Sequence, residues 1–538
     1  MSLLGRMFGW MLPGRGKARA PASVAMAIRA QPDRGLLDRL IARVSPAWAQ
    51  RRARARLLAR HYESASVGRR TSGWSRRGTD ANAAASGATL ALLRAQARDL
   101  VRNNPWARRG LRRIVTDTVG WGIRPKATGR GAATVMDLFK RWGETTECDA
   151  TGMCTFFGLQ RLVMRTIAQS GEVLVRRRMR TPDDGLSIPM QLQVLEPDYL
   201  DTSKDGIIGD KGGPIVQGVE FDNRGRRVAY WLFDEHPGSG RMVSPVSRRV
   251  SAAGVLHVFE LERPGQARGP SWFASVDVRL HDFDEFEDAT LMKQKIAACM
   301  AAFVTDIDGA GTALGAEGTD RASDQPTDAF EPGMILNLPP GKQVTVANPP
   351  QASDHQSFSA AALRGVAAGL GVTYESLCGD YSQVNFSSAR MGRLDHQGDV
   401  HDWRWDMLIP RFCAPVWSWM IETIILAGED VENAPAEWTP PPAGMLDPQT
   451  EGSSLSQMVR IGAMTLDDMV REQGFDPDEH WREYAASLAR LDRLGIVLDS
   501  DPRKTSAAGQ AQSATPAAPS KPMNGASKPN GAAPPGAS

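Results

Sequence analysis

Three stretches of this chain place metal-binding or acid–base side chains close enough together to suggest chemistry. The first, Asp395-His396-x-x-Asp399-x-His401-Asp402, gathers carboxylates and imidazoles of the kind that hold a divalent cation. On a helix the five-residue spacing turns His396 and His401 to different faces, so a solvated polar surface is expected there, not a metal site. The second is the run Asp282, Asp284, Glu285, Glu287 and Asp288. Two-metal nucleases use several carboxylates, but they draw them from separate elements. Here they follow one another on a single predicted helix and spread around it, as an acidic surface would. The third, Gly309-x-Gly311-x-x-x-Gly315, has the glycines of a phosphate loop. It follows a helix and lacks the GK[ST] ending that makes such a loop work. There is no GxSxG, HExxH or P-loop, and Ser170-Gly171 has no His partner in sequence and is expected to precede a strand. No catalytic residue, metal site or cofactor is expected.

The elements around these residues are legible from periodicity. Leu90, Leu93, Ala97, Leu100 and Val101 predict a helix that Asn103-Asn104-Pro105 breaks, and a second helix runs to about Val119. Helices near 134–147 and 156–170 follow. Met190, Leu192 and Val194 alternate with Gln191 and Gln193 as a half-buried strand. Val216 to Phe221 and Val228 to Phe233 flank Asp222-Asn223-Arg224-Gly225 as a hairpin. Gly254 to Glu260 reads as a further strand. From Ser271 to about Val304 the pattern predicts one helix, which at about 34 residues would span roughly 50 Å. Its first half is acidic; Lys293, Lys295 and then an apolar stretch follow. Short strands are expected around Met334–Leu338 and Gln343–Val346, a helix over about 353–370, and helices from Ser387 to Leu426 that Pro410 and Pro415 bend or break. Pro440-Pro441-Pro442 marks a linker to a helical unit at 447–495, where Thr465 precedes Asp467 and Asp468 as a cap. The Ala/Pro/Ser/Gly-rich segment 501–538 is expected to lack structure.

The net charge of +3 hides an asymmetry. Residues 1–113 carry 24 Arg and Lys against 5 Asp and Glu, whereas the remainder carries 40 against 56. A basic arm on an acidic body calls for a polyanionic or acidic partner. The five cysteines form no CxxC pair and read as reduced thiols. No signal peptide and no apolar run long enough to span a membrane is present, so no membrane partner is expected.

Gly379-Asp380-Tyr381-Ser382-Gln383-Val384-Asn385-Phe386-Ser387-Ser388-Ala389-Arg390, preceded by Gly371-Val372-Thr373-Tyr374-Glu375-Ser376-Leu377, resembles the signature of lambda-type tailed-phage portal proteins. Arg70-Thr71-Ser72-Gly73-Trp74 with Asp80-Ala81-Asn82 resembles the family's amino-terminal segment. Arg263-Pro264-Gly265-Gln266-x-Arg268-Gly269, leading into Phe283 to Ala289, resembles the entry to its long helix, and Asp447-Pro448 with Glu451, Gly462 and Gly474 its carboxy-terminal part. The matches run in family order over about 60–500.

The resemblance implies an α+β, multi-domain portal-like subunit with a mixed α+β wing, a two-helix stem, a small clip and a helical crown. On it, 1–85 is a basic arm, 86–270 wing, 271–305 the first stem helix, 306–350 clip and 351–375 the second stem helix. Residues 376–390 form a tunnel loop, 391–446 a wing return, 447–500 the crown and 501–538 a disordered tail. The implied protein is a ring, usually of twelve copies, at one capsid vertex of the virion, assembled in the host cytoplasm. DNA passes through it in packaging and ejection. Its implied partners are double-stranded DNA, the terminase large subunit, head–tail connector proteins, and capsid and scaffold proteins. Lys293, Lys295, Gln383, Asn385 and Arg390 are the expected DNA-channel residues. Asp282, Asp284, Glu285, Glu287 and Asp288 are the expected acidic wall, which lets DNA slide because it offers phosphate no counter-charge. Two other classes stay open: a metal-dependent DNA-processing enzyme using the 282–288 carboxylates, and a DNA-binding scaffold that forms no ring.

Overall fold

The computed structural model describes residues 79–240, 246–298, 302–306, 342–346, 355–431, 434–442, 444–445, 447–498, 501 and 503–504. The chain divides into two units, Met1–Thr79 and Asp80–Ser538, and the account below concerns the second. Most of the basic arm with its 70–74 motif, the 309–315 glycines, the strand expected at Met334–Leu338 and nearly all of the 501–538 tail lie outside the described residues.

Side-chain caps set the first helices. Ser86 accepts from the Thr89 N–H to open α1 (Gly87–Asn103). Asn104 closes α1 and, accepting from the Ala107 N–H, opens α2 (Pro105–Val119), where Pro105 has no N–H to lose. After β1 (Arg124–Ala127) come α3 (Ala132–Gly143) and α4 (Phe156–Ser170). Leu111, Ile114 and Val115 of α2 and Leu159, Val163 and Ile167 of α4 recur at helical spacing and bury one stripe of each helix in the main core.

α4 ends at Gly171, whose φ of +89° reverses the chain straight into β2 (Glu172–Met179). β2 is the middle strand of an antiparallel sheet between β3 (Met190–Leu195) and β9 (Val255–Phe259). A separate meander of β4 (Ile207–Ile208), β5 (Gly212–Val216), β6 (Val219–Asp222), β7 (Arg227–Phe233) and β8 (Ser247–Ser251) forms a five-stranded sheet. The strand expected over Val216–Phe221 is thus two strands. Gln217 and Gly218, at φ +47° and +86°, make the tight primed turn that splits it. The expected turn at 222–225 is present, with Asp222 accepting from the Arg224 and Arg226 N–H groups.

The helix expected from Ser271 to Val304 is shorter. Ser271 caps a separate turn, Trp272–Ser275, and α5 runs from Asp277 to Ala298, which is 22 residues and roughly 33 Å. Ala302–Asp306 is β10, antiparallel to β11 (Lys342–Val346). Phe303-Val304-Thr305 is rich in β-formers, and a partner strand overrides any helical continuation. α6 (His355–Leu370) lies against α5, with Phe286 on Phe358 at 4.4 Å between ring centres. A turn at Gly371 leads to α7 (Tyr374–Cys378).

Pro410 does not break the chain after α8 (Phe386–Asp402). Residues Trp403–Cys413 widen into a π-helix that continues into α9 (Ala414–Leu426), the Ala414 N–H donating to the Ile409 carbonyl. The wider register accommodates a residue that has no N–H to give. β12 (Ala436–Thr439) then pairs antiparallel with β1, bringing the chain back to the amino-terminal layer. The last unit is α10 (Pro448–Arg460), α11 (Leu466–Glu472) and α12 (Pro477–Leu494), with Thr465 and Asp468 forming the expected capped start of α11. No helix among the described residues is long and apolar enough to cross a membrane.

Candidate nucleic-acid interface

The 371–390 signature is folded by its own polar side chains. Thr373 accepts from the Ser376 N–H to start α7, and Gly379, at φ +72°, ends it beside the Arg109 guanidinium. Arg109 Nε donates to the Ser376 carbonyl. Asp380 accepts from the Ser382 N–H, and Asn385 with Ser388 forms a reciprocal cap on α8. Gln383, Asn385 and Arg390 are exposed. Asn385 Oδ1 is already engaged by the Ser388 N–H at 2.8 Å, so it shapes the segment.

Two contacts fix this segment on the body. His396 bridges the Gly371 carbonyl at 3.0 Å and Asp117 Oδ2 at 3.1 Å, which ties α8 to α2 and to the turn before α7. With both ring nitrogens engaged, His396 belongs to a structural clamp, and the 395–402 cluster gathers around no common point. The second contact is Gly110 on α2, where a Cβ would lie 2.6 Å from Leu370 Cδ1 and 3.3 Å from Leu377 Cδ1. Gly110→Ala therefore forces the buried Leu370 side chain to shift and crowds Leu377, loosening the packing of α6 and α7 on α2, and overpacking of this kind costs about 1–3 kcal/mol. The expected result is a lower denaturation midpoint together with faster protease cleavage within 379–385. Cleavage at the wild-type rate would mean that the Leu370–Leu377 contact does not hold the segment.

The acidic residues of α5 are spread around the helix. Asp282, Glu285 and Asp288 are exposed, and Asp284 and Glu287 are half-buried. Asp284 Oδ1 accepts from Asn104 Nδ2 at 2.9 Å, pinning α5 to the α1–α2 junction, and Glu285 faces His281. They converge on no cation site. Lys293 and Lys295 occupy the last turns of α5, and no hydrogen bond or ion pair among the described residues joins them to the 379–390 segment. Among the described residues the one group with metal-binding geometry is Glu196, Asp198 and His236. Arg98 lies 2.6 Å from Asp198 and 3.2 Å from Glu196, and Arg94 is 3.4 Å from Asp198, so guanidinium groups already fill that role.

Asp277, the first residue of α5, is 8% exposed, and among the described residues neither of its carboxylate oxygens has a hydrogen-bond donor. Burial pushes its pKa up from 3.8 to about 6. A raised folded-state pKa contributes stability that is complete below 3.8 and lost as pH rises through about 6. Asp277→Asn is therefore expected to raise the denaturation midpoint at pH 8, by about 2–3 kcal/mol, and to leave it unchanged at pH 4. Equal effects at the two pH values would remove burial of the charge as the cause.

A second pair of signature motifs meets in space. Asn82 Nδ2 donates to the Gly265 carbonyl, and Asn82 Oδ1 accepts from the Ala267 N–H at 2.8 Å, although the residues are more than 180 positions apart. Gln266 accepts from the Glu262 and Arg263 N–H groups to hold the loop. Arg268 points inward to Glu172, with Nη2 2.6 Å from Oε1, and His257 Nε2 lies 2.8 Å from Glu172 Oε2. Burial opposes a charge on Glu172, yet the Arg268 guanidinium and the His257 bond hold its pKa far below the usual carboxylate range. This buried network went unread in the sequence. The only signal for it was a glutamate at the head of a strand otherwise written for a core.

Residues 67–404 match the model of the phage portal protein, lambda family. The chain belongs to that family. A probable portal protein of Halomonas phage phiHAP-1 is 28% identical over 437 residues, covering 75% of this chain and 81% of that protein. Portal protein B of Escherichia phage lambda is 25% identical over 340 residues, covering 55% of this chain and 62% of that protein. A chain from the neck of an empty gene transfer agent particle aligns with a TM-score of 0.44 at 17% identity, over 71% of this chain and 94% of its own length. An HK97-family phage portal protein from Corynebacterium diphtheriae gives 0.32 at 11% identity, over 67% and 98%. As a member of the portal family, the chain is a portal protein, a component of the phage virion at a capsid vertex. The signature around 371–390 and the entry to α5 both fall inside the matched span.

Proposed function

We propose that twelve copies of this chain close into a ring that docks the terminase large subunit during packaging and head–tail connector proteins afterwards, and that DNA leaves through the same channel on ejection. On this reading 86–270 with 391–446 is the wing, α5 and α6 are the stem, the segment between them is the clip, 379–385 belongs to the tunnel loop and α10–α12 is the crown. The observation that carries it is the family match across 67–404. Two features support the assignment. α5 and α6 lie against each other through Phe286 and Phe358, as paired stem helices would. The carboxylates at 282, 285 and 288 are exposed along one helix, where a ring multiplies each into a circle of charge that repels phosphate. Lys293, Lys295, Gln383 and Arg390 are the polar and basic groups that guide the duplex within that wall. The motor supplies ATP hydrolysis from a different chain. The deciding experiment is light scattering and negative-stain electron microscopy of the full chain. A ring with a central hole and a mass near ~700 kDa is the expected result for twelve subunits of 58.4 kDa. A monomer or dimer that persists at high concentration and across salt would overturn the reading.

A further inference from the structure

We propose that His396 carries both ring protons in this structure and acts as a proton-operated latch on the 371–385 segment, closed by the imidazolium and opened by the neutral ring. The inference rests on the geometry of the clamp and not on the ring reading, which stands or falls separately.

The first observation is the kind of partner each ring nitrogen has. Nδ1 lies 3.0 Å from the Gly371 carbonyl oxygen, and Nε2 lies 3.1 Å from Asp117 Oδ2. A carbonyl oxygen and a carboxylate oxygen only accept. A neutral imidazole has one N–H and one bare nitrogen, so it donates to one of the two and turns a lone pair on the other. Only the imidazolium donates to both. Arg113 Nη2 donates to the other carboxylate oxygen, Asp117 Oδ1, at 2.7 Å, which is the arrangement of a carboxylate between two cations.

The second observation is what hangs on the Gly371 carbonyl. α6 ends in a turn in which Gly371, at φ +67°, brings the Val372 N–H to the Ala367 carbonyl at 3.0 Å and its own N–H to the Ala368 carbonyl at 3.4 Å. The turn thus uses the carbonyls that precede it, and the carbonyl of Gly371 itself is left for His396. From that point the chain enters α7 and the 379–385 loop. Trp403 seats both sides of this contact. It packs edge-on to the His396 ring at 6.1 Å between centres, and a Cβ on Gly371 would lie 3.1 Å from its Cζ2.

The third observation is the set of charges around the ring. α2 supplies Asp117 and Arg113. The π-helix supplies Arg404, whose Nε and Nη2 donate to the Thr118 and Asp117 carbonyls at 2.7 Å each. α8 supplies Asp399, whose Oδ2 would lie 4.0 Å from a Cβ on Gly371, and Glu260, just past β9, is within electrostatic reach of Asp399. Arg393, one turn earlier on α8, is bound away at the Gly444 carbonyl. The carboxylates attract the second proton and the guanidinium groups of Arg113 and Arg404 repel it. The ring is 12% exposed, which gives that proton a route to water.

The test is amide exchange of the full chain at pH 5.5 and 8.5, on either side of the ordinary histidine range, with rates corrected for intrinsic exchange. Peptides from α4 in the same sample report whether the fold is intact and carry the pH dependence that His257 and Asp277 give it. Relative to them, the wild-type 371–385 segment is expected to exchange about tenfold faster at pH 8.5, the effect of losing one charge-assisted hydrogen bond. In His396→Gln the side-chain amide stands in for Nε2 alone and leaves the Gly371 carbonyl without a donor, so the segment is expected to be open at both pH values. Asp117→Asn has the opposite outcome. An amide at position 117 donates to a bare Nε2 while Nδ1–H stays on Gly371, so the segment is expected to remain closed at both. A role in packing alone would not separate the two variants in this way. A wild-type segment whose exchange does not change with pH, a His396→Gln variant that is not open at both pH values, or an Asp117→Asn variant that opens at pH 8.5 overturns the proposal.

Discussion

Arg268→Met is expected to lower unfolding stability by about 3–5 kcal/mol, read as a shift in denaturation midpoint, because it leaves Glu172 charged, buried and without its guanidinium. Glu172 has no exposure, and it accepts from Arg268 Nε and Nη2, from the Gly269 N–H and from His257. Arg268 also donates Nη1 to the Gln217 carbonyl, so the substitution loosens the β5–β6 turn as well. The rescue is part of the prediction. Arg268→Met combined with Glu172→Leu removes both charges but leaves His257, the Gly269 N–H and the buried Arg94 guanidinium without their carboxylate, so it is expected to recover only part of the loss. A single-variant cost below about 1 kcal/mol would mean that water reaches the carboxylate and that the pair is not buried. The same network gives the fold an acid sensitivity. Burial pushes His257 down to about 4, against the pull of Glu172. A depressed histidine pKa contributes stability above 6.5 that is lost as pH falls towards 4. Asp277 contributes with the opposite sign over much of that window, so the loss due to His257 is expected in the Asp277→Asn background, where the denaturation midpoint falls between pH 6.5 and 4.

Gly171→Ala is the second large effect. Gly171 has φ +89°, and a Cβ there would collide with the Gly269 carbonyl oxygen and the Pro270 backbone. Two costs add, the left-handed backbone for a residue with a side chain and the displacement of a neighbouring main chain, for about 3–5 kcal/mol in all. Gly129→Ala is the control. It has φ +95° but nothing within 4 Å of its Cβ, so only the backbone cost remains, about 1–2 kcal/mol. Equal losses at the two positions would show that close approach is not what requires Gly171. Because Gly171 and Gly269 adjoin Glu172 and Arg268, Gly171→Ala and Arg268→Met act on one junction. Together they are expected to cost less than the sum of their separate effects.

The sequence by itself determined what a few neighbouring residues can decide. The caps at Asn104 and Thr465, the turn at 222–225, the break at Asn103-Asn104-Pro105 and the alternating strand at 190–195 all follow from side chains bonding to nearby backbone or from a two-residue period. The ordered signatures at 80–82, 263–269 and 371–390 carried the family, which the match over 67–404 establishes. The tertiary structure alone decided everything that depends on a distant partner. α5 stops at Ala298, and the chain pairs as a strand at 302–306 because β11 lies alongside it. Pro410 is carried through because its neighbours pack well enough to hold a π-helix. Asp284 reads as one more acid in a run until Asn104 is seen to hold it. Arg268 reads as one more surface cation until Glu172, 96 residues earlier in sequence, is found beside it. Local bonding is written in sequence, whereas burial, which turns a charge from a solvated group into a structural one, exists only once the chain is folded.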